Sequence, residues 1–272
     1  MTEGEASSSF RLSVVPSFRR SCAWELVLDP AGRSGAENMA LDVALLAAAG
    51  RTGRACLRLY RFDPPCLSFG RHEPARARYD RERIRRLGID VVRRPTGGRA
   101  VWHEHEVTYA VAAPIDCFGS LRGAYRAIHA RLAAALHTLG ADVTLAPDRP
   151  RPPSSALDRP NSCFATCVGG EVLVAGRKLV GSAQLREGDA FLQHGSILLD
   201  GSQEVVTAVS RKPQAASDAI TLSAVLGRRV SFPEVVDAIV TMWGDGSIFT
   251  ALHGPRPPST TPFSDPAWTW RR

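Results

Sequence analysis

"EVLVAGRKLVGSAQLREGDAFLQHGSILL", Glu171 to Leu199, decides the fold class. "EVLVAG" turns near Gly176-Arg177 into "KLVGSAQ", a hairpin-like pair, and "AFLQHGSILL" (190–199) follows as a further strand. Upstream, "IDVVRRPTGGRAVWHEHEVTYAVAAP" (89–114) reads as a strand, a tight turn at Thr96-Gly97-Gly98, a second strand, and a third at 107–113. "WELVLD" (24–29), "CLRLYRF" and "PPCLSFGR" are short strands, the second alternating Leu57 and Leu59 against Arg58 and Tyr60. Helices interleave with them. "AENMALDVALLAAAG" (36–50) puts Met39, Val43 and Leu46 on one face, and "DRERIRRLG" (80–88) is polar and closed by Gly88. "SLRGAYRAIHARLAAALHTLG" is capped by Ser120 and ended by Gly140. "SFPEVVDAIVTMW" (231–243) carries Ser231 and Glu234 at capping-box spacing. Adjacent strand pairs between helices, without a strict βαβ repeat, predict an α+β fold on a mixed sheet. A proline-rich loop spans 147–160, with sheet-forming segments on both sides. The expected organisation is a flexible arm at 1–22, one domain at 23–243 and a loosely packed Pro-rich tail at 244–272.

Composition narrows the function. The 272 residues carry a net charge of +7, which suits an acidic partner. No zinc-finger spacing and no aromatic-basic strand of the RNP kind supports nucleic acid. No apolar run of about 18 residues suggests a membrane span, and the N-terminus does not read as a signal peptide, so a cytoplasmic location is expected. Six scattered cysteines form no disulfide framework, and the thiols are expected to be free, most of them buried. There is no G-x-G-x-x-G and no G-x-x-x-x-G-K-[ST].

Cys163 and Cys167 are the chemistry-bearing pair. A structural zinc site needs four ligands, usually from two close pairs, and no second close pair exists, so no metal is expected. C-x-x-C is absent too, which leaves buried thiols or a nucleophile. Of the 34 Lys+Arg only Lys178 and Lys212 are lysines. Where arginine fills nearly every basic position, a retained lysine suggests work that arginine cannot do. The hairpin can return Lys178 toward Cys163, where an ammonium would favour the thiolate. Gly181, Ser182 and Ala183 clear space for a ligand, with Gln184, Gln193 and His194 as polar neighbours. His194 reads equally well as an ordinary hydrogen-bonded strand histidine.

"NMALDVALL", "LSFGRHEP", "RRPTGGRAVWHEHEVTYAVAAP" and "AGRKLVGSAQLREGDAFLQHGSILL" occur in the order seen in the lipoate–protein ligase A / octanoyltransferase superfamily, which the chain resembles from Trp24 to Trp243. The resemblance implies the catalytic fold of biotin and lipoate protein ligases, class II synthetase-like, with a mixed, largely antiparallel sheet flanked by helices. It places Arg93 to Arg99 (Arg94, Thr96, Gly97, Gly98 and Arg99 among them) along the acyl site, with His103, Gly181, Ser182, Ala183, Gln184 and His194 as further substrate-binding candidates. It places Lys178 at the reacting carbonyl. "NSCF" and "TGGRAV.H..E.TY" resemble the LipM-type octanoyltransferases, which carry their acyl-accepting cysteine in a C-F segment, here Cys163. Where the family often has a D-A-P-S-like run this chain has "ATCVGG", which leaves Cys167 as a second candidate. The short stretch after the last helix leads one to expect no accessory domain of the kind many ligases carry.

The function implied is N-octanoyl transfer in lipoate biosynthesis, with Cys163 and Lys178 catalytic and no cofactor. The donor would be octanoyl-acyl carrier protein, and the acceptor a lipoyl-domain protein such as the glycine cleavage H protein or a 2-oxoacid dehydrogenase E2. Alternatives are an ATP-dependent lipoate–protein ligase, an amidotransferase between lipoyl proteins, and a basic binding protein without catalysis. His103 and His194 are unranked candidates for the general base.

Overall fold

The computed structural model describes residues 22–147, 169–212, 217–243, 249–253 and 258–271. Cys163, Cys167, the proline-rich loop beyond residue 147 and all of the N-terminal arm except Cys22 lie outside these residues. The chain begins with β1 (Trp24–Arg33), α1 (Gly35–Thr52), β2 (Ala55–Phe62), β3 (Cys66–Phe69), α2 (Ala75–Arg78) and α3 (Arg81–Arg86). Next come β4 (Asp90–Arg93), β5 (Val101–His103), β6 (Glu106–Pro114), α4 (Leu121–Thr138) and β7 (Thr144–Leu145). The hairpin region holds β8 (Val172–Val174), β9 (Arg177–Lys178), β10 (Val180–Glu187) and β11 (Ala190–Leu198). The chain continues with α5 (Glu204–Ala208), α6 (Leu222–Leu226), α7 (Phe232–Trp243), β12 (Phe249–His253) and α8 (Pro266–Thr269).

The main sheet has six strands in the order β10-β11-β6-β2-β1-β12. β10, β11, β6 and β2 pair antiparallel in turn, and β1 runs parallel to both β2 and β12. Successive residues point to opposite faces, and both faces are covered. Leu57, Leu59, Val107, Tyr109, Val111, Phe191 and Ile197 pack with α4 and α7. Tyr60, Phe62, Ala110, Ala112 and Leu192 pack against Met39, Ala40 and Leu46 of α1. The alternation read in "CLRLYRF" is therefore real, but its polar face is dry: Arg58 and Tyr60 are fully buried. Ser34 and Glu37 close a capping box that starts α1, and Ser120 caps α4.

A smaller sheet, β4-β3-β5, holds the glycine turn. β4 and β5 are not hairpin partners, since each pairs with β3, so residues 94–100 pass across the end of β3. A Cβ on Gly70 would stand 1.9 Å from the Gly98 carbonyl oxygen, so only glycine lets the turn settle there. β8 and β9 form the expected hairpin through Ala175 (φ 47°) and Gly176 (φ 77°), both in the left-handed region.

Two expectations are corrected. The cysteines are not all free: Cys22 and Cys117 form a disulfide, their Cα atoms 6.2 Å apart. The chain entering β1 passes beside the turn that follows β6, a proximity invisible across 95 residues of sequence. Cys56 and Cys66 are free and buried, and burial pushes the Cys56 thiol up to about 12. The described part of the tail is also not loosely packed. β12 extends the main sheet, and Phe263 and Trp270 are buried. The fully buried Arg93 donates to the carbonyls of Trp268, Thr269 and Arg271 and to those of Gly70, Arg71 and Glu73. Among the described residues no helix is long and apolar enough to cross a membrane.

Candidate active site

A small pocket opens between the main sheet and the smaller sheet that carries the glycine turn. Its walls include Met39, Tyr60, Phe62 and Val101, with Arg94, His103, Ser182 and His194 as polar groups. Gly181, Ala183 and Gly195 leave the room. A Cβ on Gly195 would sit 2.3 Å from the Gly181 carbonyl oxygen and 2.5 Å from Ser182 Oγ, so this strand position requires glycine.

One wall is a charge-matched lattice around the turn. Asp42 of α1 accepts from Arg58 (2.9 Å), from Tyr60 Oη (2.9 Å) and from His194 Nδ1 (2.8 Å). Because Nδ1 donates to a carboxylate, His194 Nε2 accepts from Thr96 Oγ1, 2.6 Å away. Burial holds the His194 pKa down, against the pull of Asp42. His103 repeats the design, with Nδ1 on Glu106 and Nε2 on Ser68 Oγ, both at 2.6 Å, and its ring stacked on Phe62. Arg94 donates to Ser68 Oγ and to the Gly97 and Arg99 carbonyls, holding the turn from inside.

The opposite wall is Gly181, Ser182 and Ala183 of β10, backed by the hairpin and α4. Lys178 is buried, and its Nζ lies 2.5 Å from Glu171, itself buried. Beside this pair, His129 Nδ1 lies 2.7 Å from the Gly170 carbonyl oxygen. Nδ1 must carry the proton, so Nε2 is an acceptor, 2.8 Å from Ser182 Oγ. Burial, reinforced by the Lys178 charge, lowers the His129 pKa to about 4. Ser182 Oγ is also 2.6 Å from Tyr109 Oη, which accepts from Gln193, whose own carbonyl accepts from Gln184.

Of the residues expected from sequence, Arg94, His103, Gly181, Ser182, Ala183 and His194 meet around the cavity. Thr96 stands behind His194. Gly97 and Arg99 are half-buried and Gly98 is exposed, on the outer side of the turn. Lys178 lies deeper, on Glu171, and Gln184 reaches the Leu121 carbonyl at the far end of the hydrogen-bond chain. Asp42, Glu106, His129, Glu171 and Gly195 were missed. Local signals existed for Glu106, the E of "TGGRAV.H..E.TY", for Asp42 within "NMALDVALL", and for Gly195, a glycine inside an apolar strand.

Residues 34–243 match the lipoyl protein ligase A/B catalytic domain. The chain belongs to that family. It is 43% identical over 196 residues to the octanoyltransferase LipM of Kyrpidia tusciae, covering 70% of this chain and 71% of the relative. Identity is 38% over 232 residues with the LipM of Moorella thermoacetica, covering 80% and 84%. Among solved structures it is similar to a lipoate-protein ligase A bound with ATP, at TM-score 0.69 and 19% identity, covering 88% and 90% of the two chains. It is also similar to a bipartite archaeal lipoate protein ligase of Thermoplasma acidophilum, at TM-score 0.68 and 18% identity, covering 92% and 96%. At such identities the structures show the fold alone: the mixed α+β, class II synthetase-like domain expected from the sequence. The protein is an acyltransferase, and its curated relatives in the lipoyl ligase family are octanoyltransferases.

Proposed function

We propose that this acyltransferase moves an octanoyl group from octanoyl-acyl carrier protein to a lysine of a lipoyl-domain protein, through a thioester on Cys163. The observation that carries the reading is the 37–43% identity to octanoyltransferases over most of the chain. The cavity supports it: largely apolar walls for an acyl tail, and polar groups at a few fixed points. The net charge of +7 complements acyl carrier proteins and lipoyl domains, which are typically acidic.

In this reading the Cys163 thiolate attacks the donor thioester carbonyl and the carrier thiol leaves. The acceptor's ε-amine then attacks the enzyme thioester, forming the amide and releasing Cys163. Lys178 serves the developing oxyanion. Its charge is balanced by Glu171, so its N–H groups matter more than any net positive field on the thiolate.

Intact mass after incubation with octanoyl-acyl carrier protein tests this. One octanoyl adduct is expected without ATP, lost in Cys163→Ser and retained in Cys167→Ser. Full transfer by Cys163→Ser, or a requirement for ATP, would move the assignment to a ligase.

A further inference from the structure

The transfer of an acyl group to an amine needs a proton acceptor; two imidazoles, His103 and His194, line the cavity, and a third, His129, lies behind its wall on Ser182. His194 and His103 each have Nδ1 on a carboxylate and Nε2 on a hydroxyl, Thr96 or Ser68, that is buried behind the ring. Ser68 Oγ is further occupied by Arg94. His129 differs, because its hydroxyl partner Ser182 is itself on the cavity wall.

The hydrogen bonds around Ser182 are constrained from both ends, by the Leu121 and Gly170 carbonyls. The Leu121 carbonyl sets the Gln184 amide, whose second N–H goes to Gln193 Oε1. Gln193 therefore donates to Tyr109 Oη, and Tyr109, 2.6 Å from Ser182 Oγ against 3.3 Å from His129 Nε2, gives its single proton to the nearer Ser182. At the other end the Gly170 carbonyl fixes the His129 proton on Nδ1, so Ser182 spends its own proton on Nε2. Ser182 Oγ is thus an acceptor toward the cavity, with a proton path leading away from it.

We propose that Ser182 and His129 form a proton relay for the aminolysis half of the transfer. As the amine nitrogen bonds to the thioester carbon, its proton passes to Ser182 Oγ and the Ser182 proton passes to His129 Nε2. As the C–S bond breaks, the same path returns a proton to the leaving sulfur, so the net change is one proton moved from nitrogen to sulfur. The neutral state of His129 suits an acceptor that holds a proton only in passing, since a thiolate of ordinary pKa about 8.5 reclaims it readily. In this proposal Ser182 is the group that meets the acceptor amine, and His129 is a positioning and relay residue behind it.

The inference rests on the thioester reading, and separating the two half-reactions keeps the two distinguishable. In Ser182→Ala and His129→Gln, acyl-enzyme formation from octanoyl-acyl carrier protein is expected to fall far less than the aminolysis step. Aminolysis by a lipoyl-domain lysine should fall about 100-fold or more, the usual worth of general base catalysis. Discharge by hydroxylamine, a weakly basic amine whose adduct loses its proton to water, should change only a few-fold. Equal losses in both half-reactions, or equal losses for lysine and hydroxylamine, would overturn the relay. A wild-type protein that forms no acyl-enzyme would instead overturn the thioester reading, and the relay with it.

Discussion

Two walls of one cavity hold the same device, a hydroxyl donating to an imidazole, and differ in what stands behind the ring. On the turn side Asp42 and Glu106 back His194 and His103, and Arg58 balances Asp42 from β2. On the hairpin side a backbone carbonyl backs His129, and the carboxylate nearby, Glu171, belongs to Lys178. A carboxylate fixes the ring, its tautomer and a balanced charge. A carbonyl fixes only the tautomer and leaves the ring neutral. The first wall is built to hold a loop in one place, and the second to let a proton come and go.

The largest effect is expected from breaking the hairpin wall's ion pair. Lys178→Met leaves the buried Glu171 carboxylate without its ammonium, at a cost of about 3–5 kcal/mol. Denaturant unfolding should show that loss, and single-turnover transfer should fall by about 100-fold or more. The double variant Lys178→Met, Glu171→Gln should recover much of the stability and none of the activity. Recovery of both would reduce Lys178 to a structural role.

pH separates the walls next. The His129 pKa lies near 4, below the ordinary 6.5, because of burial and then Lys178. The groups facing it are Tyr109 and Ser182 from the sheet, Tyr125 from its own helix, and the Glu171–Lys178 pair. A depressed histidine pKa means that the unfolded chain binds the proton more readily. Its contribution to stability is therefore complete above pH 6.5 and lost as pH falls toward 4. The shift is worth about 3 kcal/mol. Unfolding free energies of wild type and His129→Gln should converge by about that amount between pH 7 and pH 4. A gap independent of pH would show that His129 is not held neutral.

Much of the hairpin wall was legible in sequence, because its signals are local. Alternation and Gly176 mark the turn, scarcity marks Lys178, and three small residues mark the opening at Gly181 to Ala183. The partners were not legible, because they are long-range. His129 meets Gly170 and Ser182 across 41 and 53 residues, and Asp42 meets His194 across 152. Alternation at Arg58 showed the strand but not its surroundings: a period of two implies a wet face only when one face of the sheet is left open, and here α1 covers it. The tail carried a readable hint, Trp268 and Trp270 in a proline-rich stretch. Their anchor, Arg93, lies 175 residues before Trp268.

The smallest expected effect is the sharpest on the comparison itself. Thr96→Val removes from the turn wall what Ser182→Ala removes from the hairpin wall, a hydroxyl proton donated to Nε2. Thr96 is 1% exposed and His194 4%, so the orphaned nitrogen finds no solvent and stability should drop by about 1–2 kcal/mol. Arg94 still holds the Gly97 and Arg99 carbonyls, so the turn should loosen rather than leave. KM for the octanoyl donor should then rise several-fold while aminolysis of the preformed acyl-enzyme keeps its rate. If Thr96→Val instead slows aminolysis as Ser182→Ala is expected to, the carboxylate-backed imidazole also moves protons, and the division of labour between the two walls fails.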